Sequence, residues 1–372
     1  MKITAAIIHE KSAEFKLEEV TLSEPNENEV LIKIIGSGIC HTDAVARDQQ
    51  IHVPLPAVLG HEGSGIVEKV GANVTTVEPG DHVVLSFTSC GHCENCLSGH
   101  PASCLTCNVL NFGGKMMDGT NRIHQCDHPV STFFGQSSFG SFAIAHERNV
   151  VKVDKDVDLM LLGPLGCGIQ TGAGTVLNKL RPEFGTTIAV YGCGAVGLSA
   201  IMAAKIAGCS EIIAIDVLSS RLELAKELGA THVINGKEGN IVDEIRSLTD
   251  GGTNYAVETT GVAVVVRQSV QALRTLGTVA IVGVGGEVSF HLFDDLMAQG
   301  KTMMGVIEGD SVPQTFIPRL IHFYKKGKFP FDKMVEFYEL DEINKAFDDL
   351  KKGITVKPIV MMEPNDDCNC CG

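Results

Sequence analysis

Four cysteines lie close together in one segment of the chain, at a spacing typical of a metal site. They are Cys90, Cys93, Cys96 and Cys104. Tetrahedral Zn²⁺ binds four thiolates readily, and Cys-x₂-Cys steps let neighbouring side chains converge on one ion. Because four thiolates leave no open coordination position, we predict a structural rather than a catalytic zinc. The alternatives are two local disulfides, or an iron–sulfur cluster, whose usual cysteine spacing differs.

A glycine-rich segment has the GxGxxG pattern of a dinucleotide-binding turn, in Gly192, Cys193, Gly194, Ala195, Val196 and Gly197. It follows a predicted strand and opens a predicted helix, so its backbone N–H groups would approach a pyrophosphate. Asp216 ends the next predicted strand, where a carboxylate binds the adenosine ribose and repels a 2′-phosphate. We therefore predict NAD rather than NADP. The alternative is a purely structural turn in which Asp216 caps the next helix.

Three other glycine-flanked segments carry potential metal ligands. They contain the run from Cys40 to Asp43, the pair His61 and Glu62, and Cys167. A single cysteine or histidine in a globular domain is more often packed in the core than bound to a metal. The spacing of these residues alone therefore leaves their role open.

The hydrophobic pattern predicts two kinds of structure around these residues. From residue 2 to about 153, short alternating runs between turn signals indicate a β-rich domain with long loops. From residue 187, six apolar β-type segments alternate with helical patterns, which indicates a doubly wound parallel sheet. After Pro313, a helix, a strand, a second helix and a last strand would complete the first domain.

Length and composition limit the possible classes of protein. The chain has 372 residues, which favours two domains, and a net charge of −15, which would repel nucleic acid and anionic membranes. The first apolar run ends before His9 and is too short for a signal peptide, so we predict a cytoplasmic protein with reduced thiols. Two uncharged stretches, 159–178 and 184–204, are interrupted by proline or glycine and are not predicted to span a membrane.

The order of the motifs along the chain identifies a family. GxxxCHTD, GHExxGxV, the four-cysteine loop, GCGxxTG and GxGxxG follow one another. In this order they resemble the zinc-dependent alcohol dehydrogenases of the medium-chain dehydrogenase/reductase family, closest to aryl (benzyl) alcohol dehydrogenases. The resemblance runs nearly end to end and implies an α/β fold. A β-rich GroES-like catalytic domain would contain residues 1–169 and 309–372, and a six-stranded parallel Rossmann domain at 170–308 would bind NAD.

The resemblance also implies a catalytic zinc, in addition to the structural one, held by three side chains: Cys40, His61 and Cys167. Glu62 would be a reserve ligand, and Asp43 would fix the ring of the ligand histidine. Thr42 would hydrogen-bond the alcohol oxygen and begin the proton relay. Animal and plant relatives commonly end this relay at a histidine, where this chain has Val45.

Further residues match cofactor and pocket positions of the family. Besides the glycine-rich turn, the cofactor residues are His41 and Lys357 near the pyrophosphate, Arg221 and Asp216 at the adenosine ribose, Thr171 behind the nicotinamide and Val284 at its carboxamide. The alcohol pocket would be an apolar wall formed by Ile51, Phe87, Phe133, Phe134 and Ile307. For Phe87 and Phe134, the alternative is that they simply fill the core.

The activity implied by the resemblance is reversible, NAD-dependent oxidation of a primary alcohol to its aldehyde by zinc-assisted hydride transfer. A benzyl-type, aryl or medium-chain alcohol is the expected substrate. One alternative is S-(hydroxymethyl)glutathione (formaldehyde) dehydrogenase activity, although Asn108 replaces the glutathione-binding arginine of those enzymes. Another is a non-catalytic relative that only binds NAD or zinc.

The expected partners are small-molecule alcohols and aldehydes, with no nucleic acid and no membrane. In the family the last Rossmann strand, here 302–307, pairs across a two-fold axis, so we expect a homodimer or homotetramer. The cysteines of the C-terminal tail, Cys368, Cys370 and Cys371, have no counterpart in the family pattern.

Overall fold

A computed structural model describes residues 1–362 of the chain. The three tail cysteines, Cys368, Cys370 and Cys371, lie outside the described residues. The chain forms two compact units. Of the described residues, the first unit contains 1–167, 312–318 and 332–362, and the second contains 168–311 and 319–331.

The strands and helices alternate along the chain as follows. The strands are β1 (Lys2–Ile8), β2 (Lys16–Leu22), β3 (Glu29–Gly38), β4 (Ala57–Val58), β5 (Gly63–Val70), β6 (His82–Leu85), β7 (Ile123–Gln125), β8 (His128–Thr132), β9 (Phe142–His146), β10 (Val150–Val153), β11 (Thr187–Tyr191), β12 (Glu211–Asp216), β13 (His232–Asn235), β14 (Thr253–Glu258), β15 (Leu273–Ile281), β16 (Thr302–Gly305), β17 (Val335–Glu339) and β18 (Lys357–Met361). The helices are α1 (His41–Arg47), α2 (Glu94–Leu97), α3 (Cys107–Phe112), α4 (Gly168–Gly174), α5 (Ala195–Ala207), α6 (Ser219–Leu228), α7 (Ile241–Leu248), α8 (Ala263–Gln271), α9 (Pro313–Lys325) and α10 (Ile343–Lys352).

The first unit is β-rich, as the sequence predicts, and has the GroES-like architecture. Strands β1, β2, β7, β8 and β4 close into a barrel, while β10, β6, β5, β3, β18 and β17 form a second sheet in which β9 also pairs with β3. Ile3 of β1 is buried between the exposed residues Lys2 and Thr4, which is the alternation of a strand with one face in the core. Phe15 packs in this core against Phe139 and Phe347, with ring centroids 5.9 and 4.9 Å away.

Three neighbouring strands of the second sheet bring distant segments together. β3 pairs antiparallel with β5, with Ser37 opposite Gly63, and with β18, with Gly38 opposite Ile359. The end of β3 therefore lies beside the beginning of β5 and beside β18. The contact is close, because a Cβ on Gly38 would overlap a carboxylate oxygen of Glu62.

The second unit contains a six-stranded sheet whose neighbouring strands are all parallel, in the order β13, β12, β11, β14, β15, β16. This is the strand order of a dinucleotide-binding Rossmann sheet, and it confirms the doubly wound sheet predicted from the sequence. The central strand β11 is buried from Ile188 to Tyr191, as expected where helices cover both faces. The strand order reverses between β11 and β14, which is where such sheets bind a nucleotide.

The compact units and the predicted domains group three short segments differently, and the predicted domain division stays a prediction. Residues 168–169, 309–311 and 319–331 group with the second unit, whereas the sequence-based division places them in the first domain. The last of these differences arises because α9 begins in the first unit and continues into the second. Among residues 1–362, no helix combines the length and the apolar character needed to cross a bilayer.

Candidate active site

Four potential ligand side chains converge in the first unit, where β3 ends and β5 begins. Ligand atoms of Cys40, His61, Glu62 and Cys167 all lie within 4.8 Å of one another. Cys40 follows β3, His61 and Glu62 precede β5, and Cys167 follows the turn 163–166. That turn packs closely on the end of β6, since a Cβ on Gly166 would overlap a carbonyl oxygen there. The structure thus brings together the three predicted zinc ligands and the predicted reserve ligand.

His61 has the hydrogen-bonding pattern of a metal ligand. Its Nδ1 lies 2.9 Å from Oδ1 of Asp43, and its Nε2 is buried without a hydrogen-bond partner. A buried polar nitrogen is costly unless its lone pair is bound. Two thiols and an imidazole suit zinc, and three protein ligands leave a fourth position for a substrate. The side chains present therefore fit a catalytic zinc.

Asp43 joins two segments of this cluster, the one that contains Cys40 and the one that contains Gly60 and His61. Its Oδ1 accepts hydrogen bonds from Nδ1 of His61 and from the backbone N–H of Gly60, the latter at 3.1 Å. Its Oδ2 accepts from the backbone N–H of Cys40 at 3.0 Å. The carboxylate is fully buried, and by accepting from Nδ1 it leaves the lone pair of His61 on Nε2, toward the ligand cluster.

We expect Asp43→Asn to weaken zinc binding at this cluster by about 10- to 100-fold, the usual effect of changing the partner of a ligating histidine. The substitution replaces one acceptor oxygen by an NH₂ group. That group would face either the backbone N–H of Cys40 or the Nδ1–H of the imidazole, so two donors would meet. The zinc retained during titration with a chelator measures the effect. Asp48→Asn, at the end of the same helix, is the matched control and should retain zinc. Equal retention in both variants would contradict the role of Asp43.

Glu62 and Lys357 form a buried ion pair beside the ligand cluster. Nζ of Lys357 lies 3.0 Å from each carboxylate oxygen and 3.0 Å from the carbonyl oxygen of Ile39. Burial opposes the charge of this ammonium group, but the surrounding negative groups, Glu62 first, outweigh burial and raise the pKa of Lys357. β18 pairs with β3, and Lys357, the first residue of β18, contacts Glu62 in the interior. The contact of Lys357 with the pyrophosphate stays a prediction.

The first turn of α1 carries the residues predicted for proton transfer. Oγ1 of Thr42 lies 3.8 Å from Sγ of Cys40, so this half-buried hydroxyl is next to the ligand cluster. His41, the first residue of the helix, is exposed to solvent. Val45 is buried near the other end of α1 and offers no ionisable group for a relay.

An aromatic cluster surrounds His61. The ring of Phe134 stacks on the imidazole with centroids 4.5 Å apart, and Phe133 meets it edge-on at 5.4 Å. Phe112 contacts both phenylalanines, at 5.3 and 5.9 Å. Phe133 and Phe134 are almost fully buried and pack against the imidazole. No motif in the sequence points to Phe112, which ends the short helix α3.

The other predicted pocket residues have different surroundings. Ile51 lines a surface groove of about 580 Å³, together with Phe112. Phe87 is buried in the core and lines a cavity of about 480 Å³, so its role in the alcohol pocket stays a prediction. Ile307 belongs to the second unit, where half of its surface is exposed.

The four-cysteine loop forms a second ligand cluster in the first unit. The sulfur atoms of Cys90, Cys93, Cys96 and Cys104 lie within 4.8 Å of one another, and all four thiols are free. The backbone N–H groups of Cys90 and Cys93 donate to sulfur atoms of the set, each at 3.3 Å. Backbone N–H donors, that of Leu105 first, lower the pKa of Cys93 to about 6, whereas burial raises the pKa of Cys96 to about 12. Such donors favour the thiolate that zinc binds, so this cluster fits a structural zinc.

The glycine-rich turn connects β11 to α5 in the second unit. Gly192 has a φ of +89°, and a Cβ on Gly197 would overlap the carbonyl oxygen of Gly192, so the turn and the helix pack without side chains between them. A Cβ on Gly194 would meet open space. Asp216, at the end of β12, accepts hydrogen bonds from the backbone N–H groups of Cys193 and Leu218 at 2.7 and 2.9 Å. This open, glycine-lined cradle with a carboxylate beside it fits the pyrophosphate and ribose of NAD.

The remaining predicted cofactor residues lie in the second unit as well. Ala195 and Val196 form the first turn of α5, and Arg221 is buried in α6. Thr171 is buried in α4, where its hydroxyl donates to Glu308 at 3.4 Å. Val284 follows β15 and is largely exposed.

Two family descriptions match the chain. The alcohol dehydrogenase GroES-like domain matches residues 26–155, and the zinc-binding dehydrogenase domain matches residues 195–326. Together they cover most of both units.

Curated relatives and solved structures cover nearly the whole chain. Geraniol dehydrogenase of Castellaniella defragrans is 46% identical over 363 residues, 96% of this chain and 97% of that protein. Alcohol dehydrogenase 1 of Pisum sativum is 35% identical over 378 residues, 98% of each. The crystal structure of benzyl alcohol dehydrogenase from Acinetobacter calcoaceticus superposes with a TM-score of 0.94 at 50% identity, covering 98% of this chain and all of that chain. These matches agree with the two ligand clusters and the dinucleotide turn, and the chain therefore belongs to the zinc-dependent, NAD-linked alcohol dehydrogenases of the medium-chain dehydrogenase/reductase family.

Proposed function

We propose that this enzyme oxidises allylic or benzylic primary alcohols to their conjugated aldehydes. The observation that carries the proposal is the aromatic wall of Phe112, Phe133 and Phe134 around His61. Two similar proteins are named for geraniol and for benzyl alcohol. In both of these alcohols the CH₂OH group is attached to an sp² carbon, so a planar, unsaturated group lies next to the reacting carbon.

Aromatic side chains recognise such a planar group better than a saturated one. Stacked or edge-on contacts between π-systems contribute about 0.5–1.5 kcal/mol beyond the burial of apolar area. The rings of Phe133 and Phe134 are held by burial and by their contact with Phe112, so they are already ordered before a substrate binds. The groove beside Ile51 and Phe112 offers space for the remainder of a larger alcohol.

The residues of the first unit have separate roles in this proposal. When bound, zinc polarises the alcohol oxygen and NAD accepts the hydride. Cys40, His61 and Cys167 would hold the metal, and Thr42 would accept the alcohol proton and pass it on. Asp43 orients the imidazole, and the carboxylate of Glu62 is held by Lys357. The proton then leaves through a group other than the side chain at position 45.

In this proposal, alcohol chemistry and NAD binding are assigned to the two domains predicted from the sequence. The catalytic domain, 1–169 and 309–372, would carry out the alcohol chemistry. The domain at 170–308 would bind NAD through the glycine-rich turn, Asp216, Arg221, Thr171 and Val284, with His41 and Lys357 contributing from the catalytic domain.

Pairs of alcohols that differ only in unsaturation test the substrate class. We expect kcat/KM, measured by NADH absorbance, to be about tenfold higher for benzyl alcohol than for cyclohexylmethanol, and higher for geraniol than for citronellol, since 1.4 kcal/mol is a factor of ten. Ethanol controls for size. Equal rates within each pair would contradict the proposal. Faster turnover of S-(hydroxymethyl)glutathione than of benzyl alcohol would favour the formaldehyde dehydrogenase alternative instead.

We further propose that the enzyme is a homodimer or homotetramer in the cytoplasm. β16 is the edge strand of the six-stranded sheet, and large apolar side chains near it are exposed, among them Phe293, Met297 and Met303. An exposed, apolar edge strand favours pairing with a second copy. The two ligand sets contain six cysteines, and none of these forms a disulfide within the described residues, which favours a reducing compartment.

A further inference from the structure

The loop that follows β14, residues 259–261, lies directly against the phosphate-binding turn. The backbone N–H and the hydroxyl of Thr259 both donate to the carbonyl oxygen of Tyr191, at 3.0 and 2.8 Å. The same hydroxyl lies 3.3 Å from the carbonyl oxygen of Gly192. A Cβ on Gly192 would collide with the side chains of Thr259 and Thr260. The loop therefore braces the first glycine of the turn.

The same loop contacts the segment 283–285 on another side. A Cβ on Gly261 would overlap the carbonyl oxygen of Val284, and a Cβ on Gly283 would overlap the backbone nitrogen of Gly261. Backbones packed this closely have little room to move independently. A displacement of the loop is therefore passed both to Gly192 and to Val284.

Glu258, the last residue of β14, holds this loop in place. Its side chain is fully buried. Its carboxylate accepts hydrogen bonds from the backbone N–H and the hydroxyl of Thr260 and from the backbone N–H of Gly261, the two N–H groups at 2.8 and 3.1 Å. The backbone carbonyl of Glu258 accepts from the N–H groups of Val282 and Gly283 at 2.8 and 3.1 Å. One buried residue thus ties the loop to the end of the sheet.

We propose that Glu258 is a positioning residue for NAD. Through the loop 259–261 it holds two segments in the geometry that binds the two halves of the cofactor: the turn at Gly192 for the pyrophosphate and the segment at Val284 for the nicotinamide. Glu258 itself need not contact NAD. The inference rests on the cofactor contacts proposed above for these two segments.

Three variants test this inference in the full-length, zinc-loaded enzyme. Glu258→Gln replaces one carboxylate oxygen by an NH₂ group that faces N–H donors. Thr259→Val removes only the hydroxyl that braces the turn. Thr187→Val is the matched control, because Thr187 lies where β11 begins, at the end of the strand away from the glycine-rich turn. Its hydroxyl links β11 to β14: it donates to the side-chain oxygen of Asn254 and accepts from the backbone N–H of Asn254, both at 3.0 Å.

The readouts are the dissociation constants of NADH and ADP-ribose by titration calorimetry, together with zinc content and the KM values. Thr259→Val should weaken both ligands about fivefold, the value of one hydrogen bond. Glu258→Gln should weaken NADH about tenfold and ADP-ribose less, because it also releases Val284. KM for NAD should rise with these constants, while KM for the alcohol and the zinc content stay unchanged. Thr187→Val should bind both ligands as the wild type does.

Unchanged NADH and ADP-ribose affinity in Glu258→Gln and Thr259→Val would overturn the inference, as would equal weakening in Thr187→Val. If Glu258→Gln does not fold, Thr259→Val decides alone, and wild-type affinity for ADP-ribose in that variant overturns the inference. Failure of the wild-type enzyme to bind NADH is a distinguishable result, since it would contradict the cofactor contacts themselves.

Discussion

Cys40→Ala is expected to remove the catalytic zinc and reduce alcohol oxidation by about 10³- to 10⁴-fold, because a Lewis-acid metal contributes several kcal/mol and 1.4 kcal/mol is a factor of ten. The variant leaves only the imidazole and one thiol of the predicted ligand set, with Glu62 held by Lys357. Two such ligands bind zinc too weakly to retain it. The measurements are NADH formation from benzyl alcohol and the zinc content per chain.

The fold should survive this change, which makes the result specific. The backbone N–H of Cys40 still donates to Asp43 when the thiol is gone, so α1 keeps its starting hydrogen bond. Cys209→Ala is the control, because this cysteine belongs to neither ligand cluster. We expect one zinc of two to be lost from Cys40→Ala, none from the control, and NADH affinity to be retained in both. Full activity in Cys40→Ala would show that the cluster is not the catalytic site.

Cys93→Ala is expected to remove the structural zinc and destabilise the loop around it. This loop has little core of its own: α2 buries no side chain, and Leu97 and Leu105 are 75% and 72% exposed. Metal ligation therefore replaces hydrophobic packing here. Structural zinc contributes about 10–16 kcal/mol in isolated zinc-finger peptides, so a loss of several kcal/mol is expected in this larger unit. That corresponds to a melting temperature lower by about 10 °C or more.

Calorimetry and limited proteolysis measure this effect, with cleavage expected inside residues 93–105. His92→Ala is the matched control, because His92 is exposed in the same loop. Within the described residues, its side chain has one hydrogen-bond partner, the carbonyl oxygen of Cys90 at 3.0 Å. The control should keep both zinc ions and its melting temperature. Loss of zinc from His92→Ala with retention in Cys93→Ala would show that the histidine, not the fourth thiol, completes the site.

Much of the candidate site was predictable because its determinants are local in sequence. The four cysteines of the loop lie within fifteen residues, so their spacing alone indicates a zinc site. The glycine-rich turn is also local in sequence, because Gly192 and Gly197, which pack against each other, belong to the same short motif. The alternation of apolar strands and helices after residue 187 was sufficient to predict the six-stranded parallel sheet.

Other features depended on pairings between distant segments. Cys40, His61 and Cys167 are separated by up to 127 positions in the sequence, and only the family resemblance linked them. The register of β3 against β5, and the packing of the turn before Cys167, place them together. The register of β18 against β3 likewise decides that Lys357 pairs with Glu62.

The sequence by itself therefore determined the two-domain α/β organisation, the structural zinc loop and the dinucleotide turn, because each follows from local spacing or from periodicity. Only the tertiary structure decided which side chains meet across strands. It placed Phe112 beside Phe133 and Phe134, which contact His61, and it set Glu258 against the loop 259–261. The physical reason is that hydrogen bonds and ring contacts between residues far apart in the chain depend on strand register and packing, which no local motif specifies.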